Sequence, residues 1–258
     1  MSILRKSRNT PSFTFSSAIN MGNIYNAILS AKKESGKLLA ILLDPDKIDW
    51  DALELLAQKI NISPATHIFI GGSHVSTNRI CELVLHFKKE SHLPVILFPG
   101  NPSQISDKAD AILFLSLLSG RNPDFLIGHH VDAAPILTQT NLEIIPTGYI
   151  LIESGSETAV ARVSKTEPLS ISDIDKIVHT AVAGQMLGNK LIYLEAGSGA
   201  KNAVPFEIIK TVSESIKIPL IVGGGIRTKQ GIETAFENGA DLVVIGTAFE
   251  NDIHFFEN

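Results

Sequence analysis

Eight short runs of mostly apolar, β-branched residues recur along this chain, and that recurrence limits the folds open to it. Residues 38–43, 67–70, 94–98, 111–115, 148–152, 190–195, 219–222 and 241–245 read as strands buried on both faces. Helical spacing fills most of the intervals, at 50–60, 77–89, 125–137, 173–187 and 229–238, and a further helix at 23–33 ends at Gly36. Strands and helices in strict alternation imply a parallel sheet, and eight such units imply an α/β chain closed into a (β/α)8 TIM barrel. An open doubly wound sheet is the second reading, disfavoured because no strand leads into a dinucleotide fingerprint. The rhythm breaks once. Only residues 103–110 separate the third and fourth strands, too few for a crossover helix, so the third helix is expected to be missing or degenerate. Residues 153–168 are polar and glycine-containing, and read as a long active-site loop. The 258 residues suit one barrel domain at 22–258, with residues 1–21 as a flexible N-terminal extension. That extension lacks the apolar core of a secretion signal.

Composition removes several classes of function. A net charge of -5 provides no basic field for nucleic acid. Hydrophobic content is 44%, yet no apolar stretch reaches the ~18 residues needed to span a bilayer. The apolar excess points instead to a greasy ligand or a subunit interface. The single Cys81 falls within the helical pattern of Ile80, Leu83, Val84 and Phe87 and is expected in the core. One cysteine excludes a disulfide framework and fits a reducing, cytoplasmic compartment.

Barrels assemble their sites at the C-terminal ends of strands. Gly223, Gly224 and Gly225 follow the seventh strand, with Thr228 as cap of the next helix, and Gly246 and Thr247 follow the eighth. Two adjacent glycine turns aim backbone amides at one point, which suits a phosphate. Asp44 and Asp46 end the first strand, Ser73 the second, Asn101 the third, and Tyr193 and Glu195 the sixth. Their hard oxygens suit Mg²⁺ shared with a phosphate or diphosphate, although Asp46 reads equally well as a turn residue. Tyr193 and Glu195, two apart, share one side of their strand. His129 and His130 are adjacent and do not share a helix face, which disfavours a metal pair. Another phosphate-barrel enzyme, an isomerase or lyase of a sugar or indole phosphate, remains an alternative. An aldolase would need a strand-end lysine, whereas Lys190 begins its strand and Lys47 lies past the turn. A non-catalytic phosphate-binding barrel is a third reading.

Six motifs carry a family resemblance: LLDPDK (42–47), FIGGSH (69–74), FPGNPSQIS (98–106), YLEAGSGA (193–200), VGGGIR (222–227) and VIGTAFE (244–250). Over about residues 22–252 the chain resembles the geranylgeranylglyceryl phosphate synthases, in particular their second group, related to the heptaprenylglyceryl phosphate synthases. The resemblance implies a modified barrel without the third helix. It also implies an Mg²⁺-dependent prenyltransferase that joins a polyprenyl diphosphate, by resemblance geranylgeranyl, to sn-glycerol 1-phosphate in an ether bond of archaeal-type lipids. Carried over by residue, it puts Mg²⁺ on Asp44 and Ser73. It puts glycerol phosphate on Tyr193, Leu194, Glu195, Ala196, Gly197, Ser198 and Gly199, on Gly223, Gly224 and Gly225, and on Gly246 and Thr247. Glu195, Tyr193 and Asp44 become the catalytic set, with Tyr193 holding a hydroxyl that Glu195 orients or deprotonates. Many relatives of the other group carry lysine two residues before the aspartate, where this chain has Leu42. Arg121 and Asn122 are therefore candidates for contact with the prenyl diphosphate. The prenyl tail is expected over Phe98, Leu115, Leu117, Leu118, Phe125 and the place of the absent helix. A homo-oligomer, dimer or hexamer, and transient membrane contact for product release complete the expectation.

Overall fold

The apolar runs pair side by side in chain order and close on themselves. β1 (Leu38–Leu43), β2 (His67–Ile70), β3 (Val95–Leu97), β4 (Ala111–Leu117), β5 (Glu143–Leu151), β6 (Leu191–Glu195), β7 (Leu220–Gly223) and β8 (Leu242–Ile245) form a closed parallel barrel in which β8 returns to β1. The structure, a computed structural model, describes residues 24–72 and 77–257. The proposed extension at 1–21 and Ser73 therefore lie outside the described residues. Alternation along each strand divides the side chains into two cores. On β4, Ala111, Leu113 and Leu117 fill the barrel, whereas Ile112 and Phe114, and Leu118 just past the strand end, face the outer layer.

That outer layer consists of α2 (Leu53–Ile62), α3 (Thr77–Glu90), α4 (His129–Leu137), α5 (Ala159–Ser164), α6 (Ile174–Met186), α7 (Phe206–Ser215), α8 (Lys229–Glu237) and α9 (Thr247–Asn251), with α1 (Ile24–Lys33) preceding the barrel. Thr228 caps α8 as expected, accepting from the Gly231 amide at 3.0 Å. The helix expected from residue 50 starts as a 3-10 turn, Trp50–Ala52, because the Asp49 carboxylate accepts the Asp51 amide. The helix expected at 125–137 is divided into a wide turn, Asp124–Gly128, and α4. The loop expected at 153–168 contains α5, started by Thr158 capping Ala161. α7 and α9 have no counterpart among the expected helices. Cys81 is only half-buried, at the margin of the core that Ile80, Leu83, Val84 and Phe87 fill.

Between β3 and β4 no α-helix forms. A 3-10 turn, Pro102–Gln104, replaces it, and the fully buried Gln104 holds the connection together. Its side-chain carbonyl accepts the Gly100 amide and its amide donates to Gly72 O, both at 2.8 Å. At the opposite end of the barrel α1 lies across the floor. Ile24 and Ile28 join the interior cluster beside Leu38, Ala111, Leu191 and Leu242, the first residues of their strands. Glu143 at the foot of β5 accepts the Ile24 and Tyr25 amides, supplying a cap for the helix start. Lys32 pairs with Asp241 at 2.9 Å.

Candidate active site

With the floor occupied by α1, the C-terminal strand ends surround a cavity of about 430 Å³. Asp44, Asn101, Tyr193, Glu195, Gly224, Gly225, Gly246 and Thr247 all line it, so strand ends far apart in the chain meet in one place. Leu194 and Ala196 do not line it: the same alternation that turns Tyr193 and Glu195 inward sends these two into the outer core. Gly223 also lies behind the lining. A side chain there would strike the Tyr193 hydroxyl and come within 3.1 Å of the Glu195 carboxylate, so the glycine makes room for both groups.

Glu195 is 5% exposed. Burial pushes its carboxyl up to about 7, against the bond of 2.7 Å that one oxygen accepts from the Gly197 amide. Tyr193 is completely buried; among the described residues its hydroxyl meets no acceptor in full hydrogen-bonding geometry, but the Glu195 carboxylate lies close enough for the two groups to interact. Burial raises both Tyr193 and the neighbouring Tyr149 well above the usual phenol range, so each keeps its proton. The rings of Tyr149 and Phe98 stand 5.3 and 5.5 Å from that of Tyr193 and form an aromatic floor beneath the carboxylate.

The glycine loops are shaped by their contact with each other. Gly224 and Gly225 have φ of +78° and +70°, in the left-handed region. A Cβ on Gly224 would meet the Gly197 amide nitrogen at 2.6 Å, and one on Gly225 would meet Asn202 O at the same distance. The β7 turn is thus pressed against the loop Gly197–Ser198–Gly199, all of whose residues line the cavity. Arg227 fastens the two loops, donating to Ala200 O and to Lys201 O. Next to them Gly246 begins α9 with no side-chain bond to the first amides. The arrangement places backbone rather than side-chain charge around an anion-sized space.

Opposite lies the acidic side. Asp44 accepts the Asp46 amide at 3.1 Å, and its own amide reaches Glu250 at 3.3 Å. Lys47 pairs with Asp44 at 3.0 Å and donates to Ser198 at 3.0 Å. Glu250, raised chiefly by burial, and Lys47 both line the cavity, and neither was among the expected site residues. Arg121 and Asn122 do not line it. Arg121 donates to the carbonyls of Leu118 and Gly120, and Asn122 bonds to Ser164 O and the Asp124 amide, so their polar groups are committed to the backbone. Asp46 lies at the exposed rim of the lining, 3.7 Å from Arg79.

Among the described residues no three His, Cys, Asp or Glu side chains gather as a metal cage. The donor set nevertheless fits Mg²⁺, which takes one or two protein carboxylates and completes its shell with water and substrate phosphates. Asp44, at the cavity edge with its second oxygen held only by a lysine, has that character.

From the aromatic floor the cavity continues over Leu115, Leu117 and Phe125, then across the outer face of β4 at Phe114 and Ile112 towards Ile105 and Ala133. This is the place of the absent helix, closed from outside by α4. Leu118 is not part of it. Being outward-facing, it packs behind β5, its Cδ1 within 2.7 Å of a Cβ built on Gly148. His130 lies along this path, edge-on to Phe114 and bonded to Ser116 at 3.1 Å, and His129 stacks edge-on against Phe125. They act there as lining.

Comparison with known proteins bears on the family and the fold. Residues 31–257 match the PcrB family. A geranylgeranylglyceryl phosphate synthase of Flavobacterium johnsoniae is 66% identical over 235 residues, 91% of this chain and 97% of the relative. That of Zunongwangia profunda is 51% identical over 231 residues, covering 90% and 98%. The crystal structure of (S)-3-O-geranylgeranylglyceryl phosphate synthase from Thermoplasma acidophilum, in complex with substrate sn-glycerol-1-phosphate, matches with a TM-score of 0.84 at 33% identity. It covers 91% of this chain and 94% of that one. By sequence and by fold, the chain belongs to the PcrB family of geranylgeranylglyceryl phosphate synthases.

Proposed function

We infer that the protein transfers a prenyl group, geranylgeranyl by family, from its diphosphate to the primary hydroxyl of sn-glycerol 1-phosphate. The product is an ether-linked prenylglyceryl phosphate, and diphosphate is released. The observation that carries this reading is the position of Glu195. It is a buried carboxylate with a pKa of about 7, beside the buried Tyr193 hydroxyl, where the glycine loops meet the apolar trough. A phosphate on the amides of Gly224, Gly225 and Thr247 would present the glycerol hydroxyl to that pair. The bond between the allylic carbon and the diphosphate oxygen breaks, with its electrons leaving on diphosphate. The glycerol oxygen bonds to that carbon, and its proton passes to Glu195. A group titrating near neutrality is well matched to the task, since it is ionised often enough to accept the proton. Tyr193, which keeps its proton, orients the attacking hydroxyl.

Mg²⁺, held by Asp44 and Ser73, would supply electrostatic stabilisation of the leaving group. The single free Cys81 supports a cytoplasmic setting. The exposed Ile127 and Val131 around the start of α4 support self-association, as a dimer or hexamer. The product joins a phosphate to a long apolar chain, so delivery to a bilayer requires transient contact with it.

The test is to incubate purified protein with Mg²⁺, sn-glycerol 1-phosphate and prenyl diphosphates of graded length, and to identify products by mass. A geranylgeranyl ether of glycerol phosphate is the expected product. Hydrolysed prenyl alcohol without ether would reject the reading.

A further inference from the structure

The two sides of the cavity mouth differ in charge, and one side chain crosses between them. On the glycine side, backbone amides and Arg227 face the cavity. On the β1 side the lining carries Asp44, Asp46 and Glu250, a surface that repels a multiply charged anion. Among the described residues the lining holds two full cations, Arg227 and Lys47. The bonds of Arg227 to Ala200 O and Lys201 O fix it as a loop fastener. Lys47 is different. Its ammonium rests between the Asp44 carboxylate and the Ser198 hydroxyl, both at 3.0 Å, and its side chain is 45% exposed.

The backbone that carries this lysine is fixed in a turn, while its side chain reaches out with 45% exposure. The Lys47 amide donates to Asp44 O at 2.9 Å, the Asp46 amide closes a turn on the Asp44 side chain, and the Trp50 indole donates to Pro45 O at 2.9 Å. The turn therefore projects an ammonium across the mouth at a fixed height. Its resting partners are a carboxylate whose side chain is 14% exposed and a neutral hydroxyl, and a polyphosphate oxygen offers the ammonium a charged acceptor in their place.

We propose that Lys47 is a diphosphate-binding residue, whose ammonium moves from Asp44 and Ser198 to the terminal phosphate of a bound prenyl diphosphate. The proposal rests on the prenyl-transfer reading. It assigns a positive charge to the otherwise acidic β1 side of the lining, and it leaves Asp44 free as the lysine departs. Lys47 then helps to position the leaving group, while glycerol phosphate remains on the glycine side.

The test titrates inorganic diphosphate with Mg²⁺, and separately sn-glycerol 1-phosphate, into wild type, Lys47→Met and Lys47→Arg by calorimetry. KM for prenyl diphosphate is measured alongside, and circular dichroism verifies folding. Lys47→Met should weaken diphosphate binding at least tenfold and raise KM for prenyl diphosphate comparably, with glycerol phosphate affinity changed less than twofold. Lys47→Arg should retain diphosphate affinity within about threefold, because a guanidinium also forks onto phosphate oxygens. Unchanged diphosphate affinity in folded Lys47→Met overturns the proposal. So does an equal loss for glycerol phosphate, which would move the lysine to the other substrate. Failure of the wild type to bind diphosphate or to form an ether would instead reject the prenyl-transfer reading, and this proposal with it.

Discussion

A carboxylate buried as deeply as Glu195 works against the fold whenever it is ionised, and that cost exposes its role. Its folded pKa of about 7 lies above the ordinary 4.5. Stability is therefore fully present below about 4.5 and is lost as pH rises through 7. Glu195→Gln keeps the acceptor for the Gly197 amide and removes the ionisation. The variant should match wild type in stability near pH 4 and exceed it above pH 7, by on the order of 3 kcal/mol. Its kcat should fall by about 10²–10⁴. Thermal melts across pH, read beside turnover, check both, and a stability gap independent of pH would contradict the assignment. In wild type kcat/KM should rise with pH through about 7, where the base ionises. For Asp44→Asn, turnover should drop on the order of a hundredfold while glycerol phosphate affinity holds, and chelation by EDTA should abolish wild-type activity. Near-normal rates in either experiment would exclude the metal from the reaction. Tyr193 and Glu195 were legible because alternation puts both on one side of a strand, at the strand end where barrel sites assemble. Glu250 and the reach of Lys47 across the mouth were not: Glu250 meets Asp44 across 206 positions, and Lys47, beside Asp44 in sequence, meets Ser198 across 151. Gly224 was legible as part of a phosphate-binding turn, but not its contact with the neighbouring loop. The structure shows that any side chain there collides with the Gly197 amide, so its replacement disturbs both loops and makes a poor probe of phosphate affinity.

At the scale of elements, the absent third helix was readable as spacing, because residues 103–110 leave no room for a crossover helix. The trough that occupies its place was only partly readable. β4 runs to Leu117, two residues beyond the expected end, and its alternation assigns Leu115 and Leu117 to the cavity side but Leu118 to the outer packing. Four of the five expected lining residues are thus in place. The far end, at Ile112 and Ala133, depends on where α4 settles, which periodicity within α4 does not encode. Leu118→Ala should accordingly leave chain-length preference unchanged and destabilise the protein by about 2–5 kcal/mol at most, since it is only partly buried. Ala133→Phe should shift preference towards shorter diphosphates at unchanged KM for glycerol phosphate. Competition between farnesyl and geranylgeranyl diphosphates, with product ratios read by mass spectrometry, distinguishes the two. A shift in the Leu118 variant alone would relocate the trough.

The whole molecule is a barrel that opens at one end, and α1 is the reason. The sequence showed a helix ahead of the first strand, but not what it covers. Its contacts are to the feet of strands spread through the chain: Glu143 on β5, Asp241 before β8, and Lys190 before β6, whose ammonium lies 5.0 Å from the Tyr25 ring. Together they hold Ile24 and Ile28 against the lowest layer of the barrel interior. Chemistry and closure therefore occupy opposite ends, and substitutions at the floor should separate stability from activity. Ile28 is fully buried, and Ile28→Ala removes three methyl or methylene carbons from a layer that rigid strands prevent from collapsing. The loss should be about 2–5 kcal/mol of unfolding free energy. In urea this should appear as a lower midpoint with an unchanged slope, since the surface exposed on unfolding is almost the same. Turnover per folded molecule and KM for both substrates should stay at wild-type values, because Glu195 and the glycine loops lie at the other end. A loss of kcat in fully folded Ile28→Ala would show that the floor and the mouth are mechanically coupled, contrary to the division of the barrel described above.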